Sequence, residues 1–253
     1  MIKQKSFMRL SGGSLGETTF VKSQDGFRVQ EKRTVTKGKF KTDPAMESVR
    51  DNASEFGRAG LNGKTIRTAI NTLVQSAKDN RTVSRLVKAL LDVMHSDTVS
   101  PPGKRNVVDG NIAKLVNFEF NENSNTKTVF AGDHTAAINR VTGELTVTVP
   151  PFIPNVVLQA APTSATHFEI VSAGAEVDFE LNSAKSDTKV SAKLPLDATA
   201  TAAISNVHAL TANSTKPLFL VFGVRFYRHL NGVSKAVSAG KGNALSIVAV
   251  SKA

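Results

Sequence analysis

Short apolar runs, several of them strictly alternating, fill the second half of the chain, and no helical period of ten residues intervenes. Residues 144–149, Glu-Leu-Thr-Val-Thr-Val, show the alternating pattern most clearly. Gly, Pro, Asn and Ser clusters separate the runs, and this arrangement favours antiparallel sheets over a parallel α/β sheet. We therefore expect a β-sandwich over residues 106–253. The runs expected to form its strands are residues 115–120, 127–130, 144–149, 156–158, 167–171, 177–181, 189–194, 218–227 and 245–250.

Three further features refine this expectation. Prolines at 150, 151 and 154 predict a crossover between sheets or a sheet edge. Alternation over residues 177–181 places Asp178 and Glu180 together on the solvated face of a half-buried strand. The Ala- and Thr-rich residues 197–203 are compatible with a strand or with a long loop.

The N-terminal region begins with a hairpin pattern. Residues 17–24 and 27–35 are β-rich runs, and the pair Asp25-Gly26 between them favours a tight turn. Alternation in the second run puts Phe27, Val29 and Glu31 on one face and Arg28, Gln30 and Lys32 on the other. We expect the second face to be basic and exposed to solvent.

Three helices are expected between the hairpin and residue 99. Asp43-Pro44 is typical of an N-cap followed by the first helical residue, and Met46, Val49, Ala53 and Phe56 recur on one stripe. Glycines at 57, 60 and 63 are expected to end this helix. A second helix is predicted over residues 64–77. The third is predicted to begin at Asp79 or Asn80, with an apolar face formed by Val83, Leu86, Val87, Leu90, Leu91 and Met94.

Charge and composition both change near residue 105. Residues 1–105 carry 20 basic and 10 acidic side chains, a net charge of +10, whereas residues 106–253 carry 12 and 11, a net charge of +1. Residues 100–105, Ser-Pro-Pro-Gly-Lys-Arg, interrupt the chain at the same place. We predict an α+β protein in three parts: a basic N-terminal arm with its hairpin (residues 1–41), a helical region (42–99) and an antiparallel β-sandwich of immunoglobulin-like type (106–253).

Motifs for chemistry are weak. The chain has no cysteine, which excludes disulfides, thiolate metal sites and thiol catalysis. The five histidines lack metal-binding spacing, and no Gly-x-Ser-x-Gly elbow occurs. Residues 57–65 end in Gly-Lys-Thr, but Arg58 occupies the first glycine position of a phosphate loop and no strand precedes it, so a turn between helices is expected. We therefore expect no enzyme activity, no catalytic residue, no cofactor and no metal.

The basic excess indicates contact with neighbouring subunits or with a polyanion such as nucleic acid. The residues expected to make these contacts are Phe20, Phe27, Arg28, Lys32, Arg33, Lys37, Lys39 and Lys41.

Three motifs stand in order near the start of the chain: residues 13–20, Gly-Ser-Leu-Gly-Glu-Thr-Thr-Phe; residues 27–33, with Phe-Arg-Val and then Lys-Arg; and a helical pattern containing Arg50, Phe56 and Arg58. This order resembles uncharacterised Bacteroidetes and phage-associated families, which continue into an immunoglobulin-like β-sandwich. The resemblance implies equivalent strands at residues 118–120, 143–147 and 165–168. It implies no activity, and it favours a surface, virion or filament component.

The sequence thus predicts a non-enzymatic structural protein that assembles with itself or with other particle proteins, as a phage virion component or an extracellular filament subunit. The hairpin is the expected assembly arm. The alternative is a protein that binds nucleic acid nonspecifically through its basic N-terminal region. No apolar run approaches the ~18 residues of a membrane span, so membrane insertion is not expected. No signal peptide is recognisable, so we expect cytoplasmic synthesis, followed either by a final place in a virion or an extracellular assembly or by residence in the cytoplasm.

Overall fold

A computed structural model of the chain describes residues 2–3, 12–32, 37–237 and 242–252. Helices and antiparallel sheets are both present, so the mixed α+β class is confirmed. Contacts group the chain into two compact units, residues 1–50 and 51–253. The three predicted domains, 1–41, 42–99 and 106–253, stay a prediction.

Unit 1 contains a four-stranded antiparallel sheet in the order β1-β4-β3-β2. Its strands are β1 (Ile2–Lys3), β2 (Gly12–Leu15), β3 (Thr18–Ser23) and β4 (Gly26–Glu31). The predicted hairpin is β3–β4, but Ser23 pairs with Gly26, so Gln24 and Asp25 form the turn one residue earlier than predicted. The basic residues 37–41 belong to helix α1 (Lys37–Thr42), and a 3-10 turn at Pro44–Met46 follows. Asp43 caps this turn as predicted, because its Oδ1 accepts from the backbone N of Ala45 at 2.9 Å.

Helix α2 (Glu47–Ala69) continues through the three glycines that were expected to end it. The predicted apolar stripe is also wrong, because Val49 and Phe56 are 47% and 61% exposed. The face that is buried carries small and polar residues, among them Ala59 and Gly63. A Cβ added at Gly63 would lie 3.3 Å from Leu90 Cδ1, so glycine permits close packing there, and this packing outweighs the ~1 kcal/mol helix penalty of a glycine.

The second predicted helix is divided between the end of α2 and α3 (Asn71–Ala77), with Ile70 in a non-helical conformation between them. Helix α4 (Thr82–Met94) is the third predicted helix, and Leu86, Val87, Leu90 and Met94 are buried as expected.

Residues 100–105 are fixed on α2 by hydrogen bonds. The backbone N of Gly103 donates to the buried carboxylate of Glu55 at 2.8 Å. The guanidinium of Arg58 donates to the carbonyls of Gly103 and Arg105. The Pro-Pro-Gly break therefore marks a turn held against the helix.

Two further sheets lie in unit 2, and every strand pairing in them is antiparallel. The elements are α5 (Thr126–Val129), β5 (Thr135–Asn139), β6 (Glu144–Val149), α6 (Pro154–Val157), β7 (His167–Asp178), β8 (Ser183–Val190), β9 (Leu194–Pro195), β10 (Ile204–Ala209), β11 (Leu218–Leu230), β12 (Val233–Ala236) and β13 (Ala244–Ser251). The small sheet has the order β10-β6-β5. The large sheet has β7 and β11 at its centre, with β8 and β9 beside β7 and with β12 and β13 beside β11.

The large sheet is covered on both faces. Val171 and Val221 share a hydrophobic cluster with the helical residues Ile66 and Leu90. Residues of the opposite parity, Leu220 and Phe222 among them, share a second cluster with the small sheet. Unit 2 is therefore layered as helices, large sheet and small sheet. This double burial explains why residues 218–224 are continuously apolar instead of alternating.

Several predicted strands are wrong. Residues 112–115 form a 3-10 helix, and the runs at 127–130 and 156–158 overlap α5 and α6. Residues 116–120 contribute an isolated bridge, Glu119 with Ser246. Asparagine caps favour the helical turns, because the Asn111 and Asn125 side chains accept from backbone N atoms two residues later.

The runs at 167–171 and 177–181 belong to the single strand β7 and the turn after it. Asp178 is buried instead of solvated, and its Oδ1 accepts from the backbone N atoms of Glu180 and Leu181 to close that turn. The strands β5, β10 and β12 were not predicted. Residues 197–203 are irregular, and the prolines at 150–154 lie where the chain passes from the small sheet to the large one, as predicted.

Candidate assembly surface

The strand register of unit 1 sorts its side chains into two faces. Phe20 lies opposite Val29, Lys22 opposite Phe27, and Leu15 opposite Thr18, so these six residues share a face with Glu31. We call this the apolar face. Leu15 is 73% exposed, and Phe20, Phe27 and Val29 are each partly exposed.

The other face of this sheet is polar. The hydroxyls of Ser14 and Thr19 lie 3.1 Å apart, and Arg28 donates to Asp25 Oδ2 at 3.2 Å. The strand alternation predicted for Phe27 and Arg28 is confirmed by the register. Because Lys22 is on the apolar face and Arg28 is on the polar face, the sheet does not gather its cations on one side.

Unit 1 has no core of its own among its described residues. Of residues 12–32 and 38–50, none is buried. A small sheet normally needs a hydrophobic face covered by other elements to be stable in water. The apolar face is thus a surface that favours a covering partner.

The predicted contact residues are distributed over several elements. Phe20 and Phe27 lie on the apolar face, Arg28 lies on the polar face, and Lys32 follows β4. Lys37, Lys39 and Lys41 belong to α1, and Lys39 Nζ lies 3.9 Å from Asp43 Oδ2. Arg33 lies outside the described residues.

Sequence reasoning missed Leu15 and Lys22 as members of the surface, whereas it placed Val29 on the same face as Phe27. Alternation along residues 18–22 was the available signal for Lys22, because it places this residue on the same side as Phe20. Leu15 had no such signal, because no strand run was assigned to residues 12–15, which form β2.

A polar group inside unit 2 has the residue types of a hydrolytic triad. Ser172 Oγ lies 2.9 Å from His208 Nε2, and His208 Nδ1 lies 3.8 Å from Asp187 Oδ2. Asn206 Nδ2 donates to Ser172 Oγ at 2.8 Å. Ser172 and His208 are fully buried, and burial lowers the pKa of His208. No substrate can reach these buried atoms in this conformation. The hydrogen bonds instead connect β10 of the small sheet to β7 of the large sheet.

Two buried carboxylates lie beside each other near the end of β7. Ser214 Oγ donates to Glu176 Oε1 at 2.7 Å, and Lys216 forms an ion pair with Asp178. Burial raises the pKa of Glu176, but hydrogen bonds from Thr211 and Ser214 outweigh it and lower the pKa overall. Both carboxylates line a cavity of 260 Å³, and no histidine among the described residues lines it. Neither His134 nor His167 is therefore placed to act together with these carboxylates.

Glu169 organises a third polar cluster on the large sheet. Its Oε2 accepts from Arg225 at 2.9 Å and from the Tyr227 hydroxyl at 2.7 Å. Burial and the Glu169 hydrogen bond raise the pKa of Tyr227 to about 12. This tyrosine therefore stays protonated at neutral pH and acts as a hydrogen-bond donor.

The segment that ends in Gly-Lys-Thr forms no phosphate loop and no turn. Residues 57–65 lie inside α2, where their backbone N–H groups are engaged in the helix. The predicted turn between helices at this place is wrong.

Across the described parts of the chain, no three His, Asp or Glu side chains are grouped so that they could hold a metal ion. No helix there is long and apolar enough to cross a membrane. In comparisons with known proteins, no family model, curated protein or solved structure matches this chain. The molecule is a mixed α+β protein with an N-terminal sheet in which no described residue is buried and a second unit of three layers.

Proposed function

We propose that the protein is a non-enzymatic structural protein that assembles with copies of itself or into a larger particle, such as a phage virion or an extracellular filament. Residues 1–50 act as the assembly arm. The observation that carries this proposal is the absence of any buried residue among residues 12–32 and 38–50, although residues 12–31 form three paired strands of a regular sheet.

The apolar face supplies the driving force for association. Phe20 and Phe27 are partly exposed and Leu15 is 73% exposed, so a partner that covers this face removes their remaining apolar area from water. Each Å² of apolar surface removed contributes about 25 cal/mol. In addition, β2 is an edge strand that pairs, among the described residues, with β3 alone, so its second edge suits strand addition by a neighbouring subunit.

We further propose that the two facing sheets of residues 106–253 form a sandwich of immunoglobulin-like type. The buried cluster shared by the small sheet and one face of the large sheet supports this assignment. The helices on the opposite face of the large sheet are an addition to such a domain.

The assembly proposal is tested by a pair of neighbouring substitutions. Phe20→Asp places a charge on the apolar face, whereas Val21→Asp places the same charge on the polar face of the same strand. We expect wild-type protein and the Val21 variant to sediment as large species and to form particles in negative-stain electron microscopy. We expect the Phe20 variant to remain monomeric, and a wild-type protein that stays monomeric at high concentration would contradict the proposal.

A second candidate function, nonspecific nucleic-acid binding, is favoured by one observation. Phe20, Phe27 and Lys22 share a face of an antiparallel sheet, an arrangement that suits stacking of single-stranded bases beside a cation. This function predicts that binding to a labelled single-stranded oligonucleotide falls steeply between about 50 and 200 mM salt. It is favoured over assembly if nucleic acid binds and no particle forms without it. Particles that persist at 200 mM salt in nuclease-treated protein favour assembly.

A further inference from the structure

Two histidines from neighbouring strands of the large sheet lie side by side at the surface of unit 2. In the strand pairing, His167 of β7 is opposite Tyr227 of β11, and His229 lies two residues further along β11. Residues two apart on a strand share a face, so both imidazoles are on the side of the sheet that carries Tyr227. Their ring centres are 5.1 Å apart, with an angle of 48° between the ring planes.

Each imidazole is held at Nδ1 by a hydroxyl group. His167 Nδ1 lies 3.0 Å from Thr166 Oγ1, and His229 Nδ1 lies 2.9 Å from Ser234 Oγ. Thr166 Oγ1 also accepts from the backbone N of His229 at 2.8 Å, so one hydroxyl connects both histidines. Each hydroxyl oxygen has a lone pair that can accept a hydrogen bond from an Nδ1–H. In the tautomer with the proton on Nδ1, the Nε2 atom carries no proton and keeps its lone pair.

The other ring nitrogen, Nε2, has no protein partner among the described residues in either histidine. No hydrogen bond or ion pair of the described part of the chain involves Nε2 of His167 or of His229. His229 is exposed and His167 is partly exposed, so an ion in solution can reach them. A histidine whose Nδ1–H donates to a neighbour while Nε2 is open has the arrangement usual for metal ligands.

The separation of the rings fits a single tetrahedral ion. With Zn–N distances of about 2.0–2.1 Å, and about 1.1 Å more from each nitrogen to its ring centre, two imidazoles on one ion have centres about 5.2 Å apart. The observed distance of 5.1 Å between the ring centres agrees with this value.

We propose that His167 and His229 bind one divalent transition-metal ion, Zn²⁺ being the ion used for the test, through their Nε2 atoms. Water occupies the remaining positions, because no third His, Asp or Glu of the described residues joins the pair. Two charged side chains lie near the pair and neither serves as a ligand. Lys193 Nζ lies 4.6 Å from the centre of the Tyr227 ring. The carboxylate of Glu169 already accepts hydrogen bonds from Arg225 and Tyr227. A site with neutral imidazoles and without a free carboxylate selects Zn²⁺, Ni²⁺ or Cu²⁺ over Mg²⁺ and Ca²⁺.

The test is calorimetric titration of the full-length protein with ZnCl₂ at pH 7.5, with MgCl₂ as the ion control. We expect one Zn²⁺ per chain and no response to Mg²⁺. His167→Ala and His229→Ala should each weaken Zn²⁺ binding at least tenfold, whereas His95→Ala, which removes an exposed histidine elsewhere in unit 2, should not. Thr166→Val should weaken binding about 10- to 100-fold while both ligands remain.

Two further measurements keep the result interpretable. Circular dichroism of each variant establishes that it is folded, and nitrogen NMR of the imidazoles should show Zn²⁺ shifting the Nε2 signals of two histidines while their Nδ1 signals keep the protonated form. Absence of Zn²⁺ binding at millimolar concentration would overturn the proposal. Equal affinity in wild type and in both histidine variants would overturn it as well.

Discussion

The buried histidine between the two sheets of unit 2 makes folding stability depend on pH. His208 is fully buried, its Nδ1 has no hydrogen-bond partner, and burial lowers its pKa below the ordinary value of 6.5. Well above pH 6.5 the imidazole is neutral in both the folded and the unfolded chain, so it does not affect the pH dependence there. Below pH 6.5 the unfolded chain takes up a proton that the folded chain does not, and the folded state loses stability.

The expected magnitude follows from one proton. Each pH unit between 6.5 and the lower pKa of the folded state removes up to about 1.4 kcal/mol from the free energy of unfolding. Urea unfolding measured at half-unit steps from pH 8 to pH 5 should show a plateau above pH 7 and a decline below it. His208→Gln should show a flatter profile, because its side chain cannot be protonated in this range.

His134 needs a control in the same experiment. Burial also lowers its pKa, and its ring stacks on Phe222 with 4.5 Å between ring centres, so it changes stability in the same direction. His134→Gln should therefore remove only its own part of the decline. If wild type and His208→Gln lose stability equally between pH 6.5 and pH 5, protonation of His208 is not the cause and the reasoning is refuted.

Three further comparisons test the packing of unit 2, the first two by urea unfolding and the third by hydrogen exchange. Gly223→Ala should destabilise unit 2 more than Gly174→Ala does, because the added Cβ at 223 meets a backbone carbonyl, whereas the added Cβ at 174 meets a side chain at 2.9 Å. For Gly174→Ala we expect a loss of about 1–3 kcal/mol. The reverse order would be inconsistent with this packing. Leu90→Ala should cost about 2–5 kcal/mol, and the half-exposed Val83→Ala less than about 1 kcal/mol. Arg140→Ala should leave three backbone carbonyls without their donor and speed hydrogen exchange in β13, with unchanged exchange as the contradicting result.

The local sequence pattern was sufficient to predict a helix or strand where one face of the element is buried and the other is solvated. Helix α4 and strand β6 have such patterns, and both lie where the sequence predicted them. The hairpin β3–β4 was found from its two β-rich runs and the Asp25-Gly26 pair between them, and the period of two gave the division of Phe27 and Arg28 between opposite faces.

The sequence pattern gave a wrong or incomplete prediction where the buried side chains are not the apolar ones. Helix α2 buries Glu55, Asn62 and Gly63 and exposes Phe56, so its apolar stripe indicated the wrong face. The contact between Ser172 and His208 depends on how two separate sheets stack, and nothing within either strand specifies this pairing. The same holds for His167 and His229, which are brought together by the register of β7 and β11.

The double burial of β11 has a consequence for biosynthesis. Residues 218–224, Leu-Phe-Leu-Val-Phe-Gly-Val, contain neither charge nor proline, a composition that favours stacking between identical segments of different chains. Strand β7 precedes this segment in the chain, whereas β13, which covers its other edge, follows it. A nascent chain on the ribosome therefore passes through a stage at which one side of this segment is open, and we expect the yield of soluble protein to depend on chaperones acting during that interval.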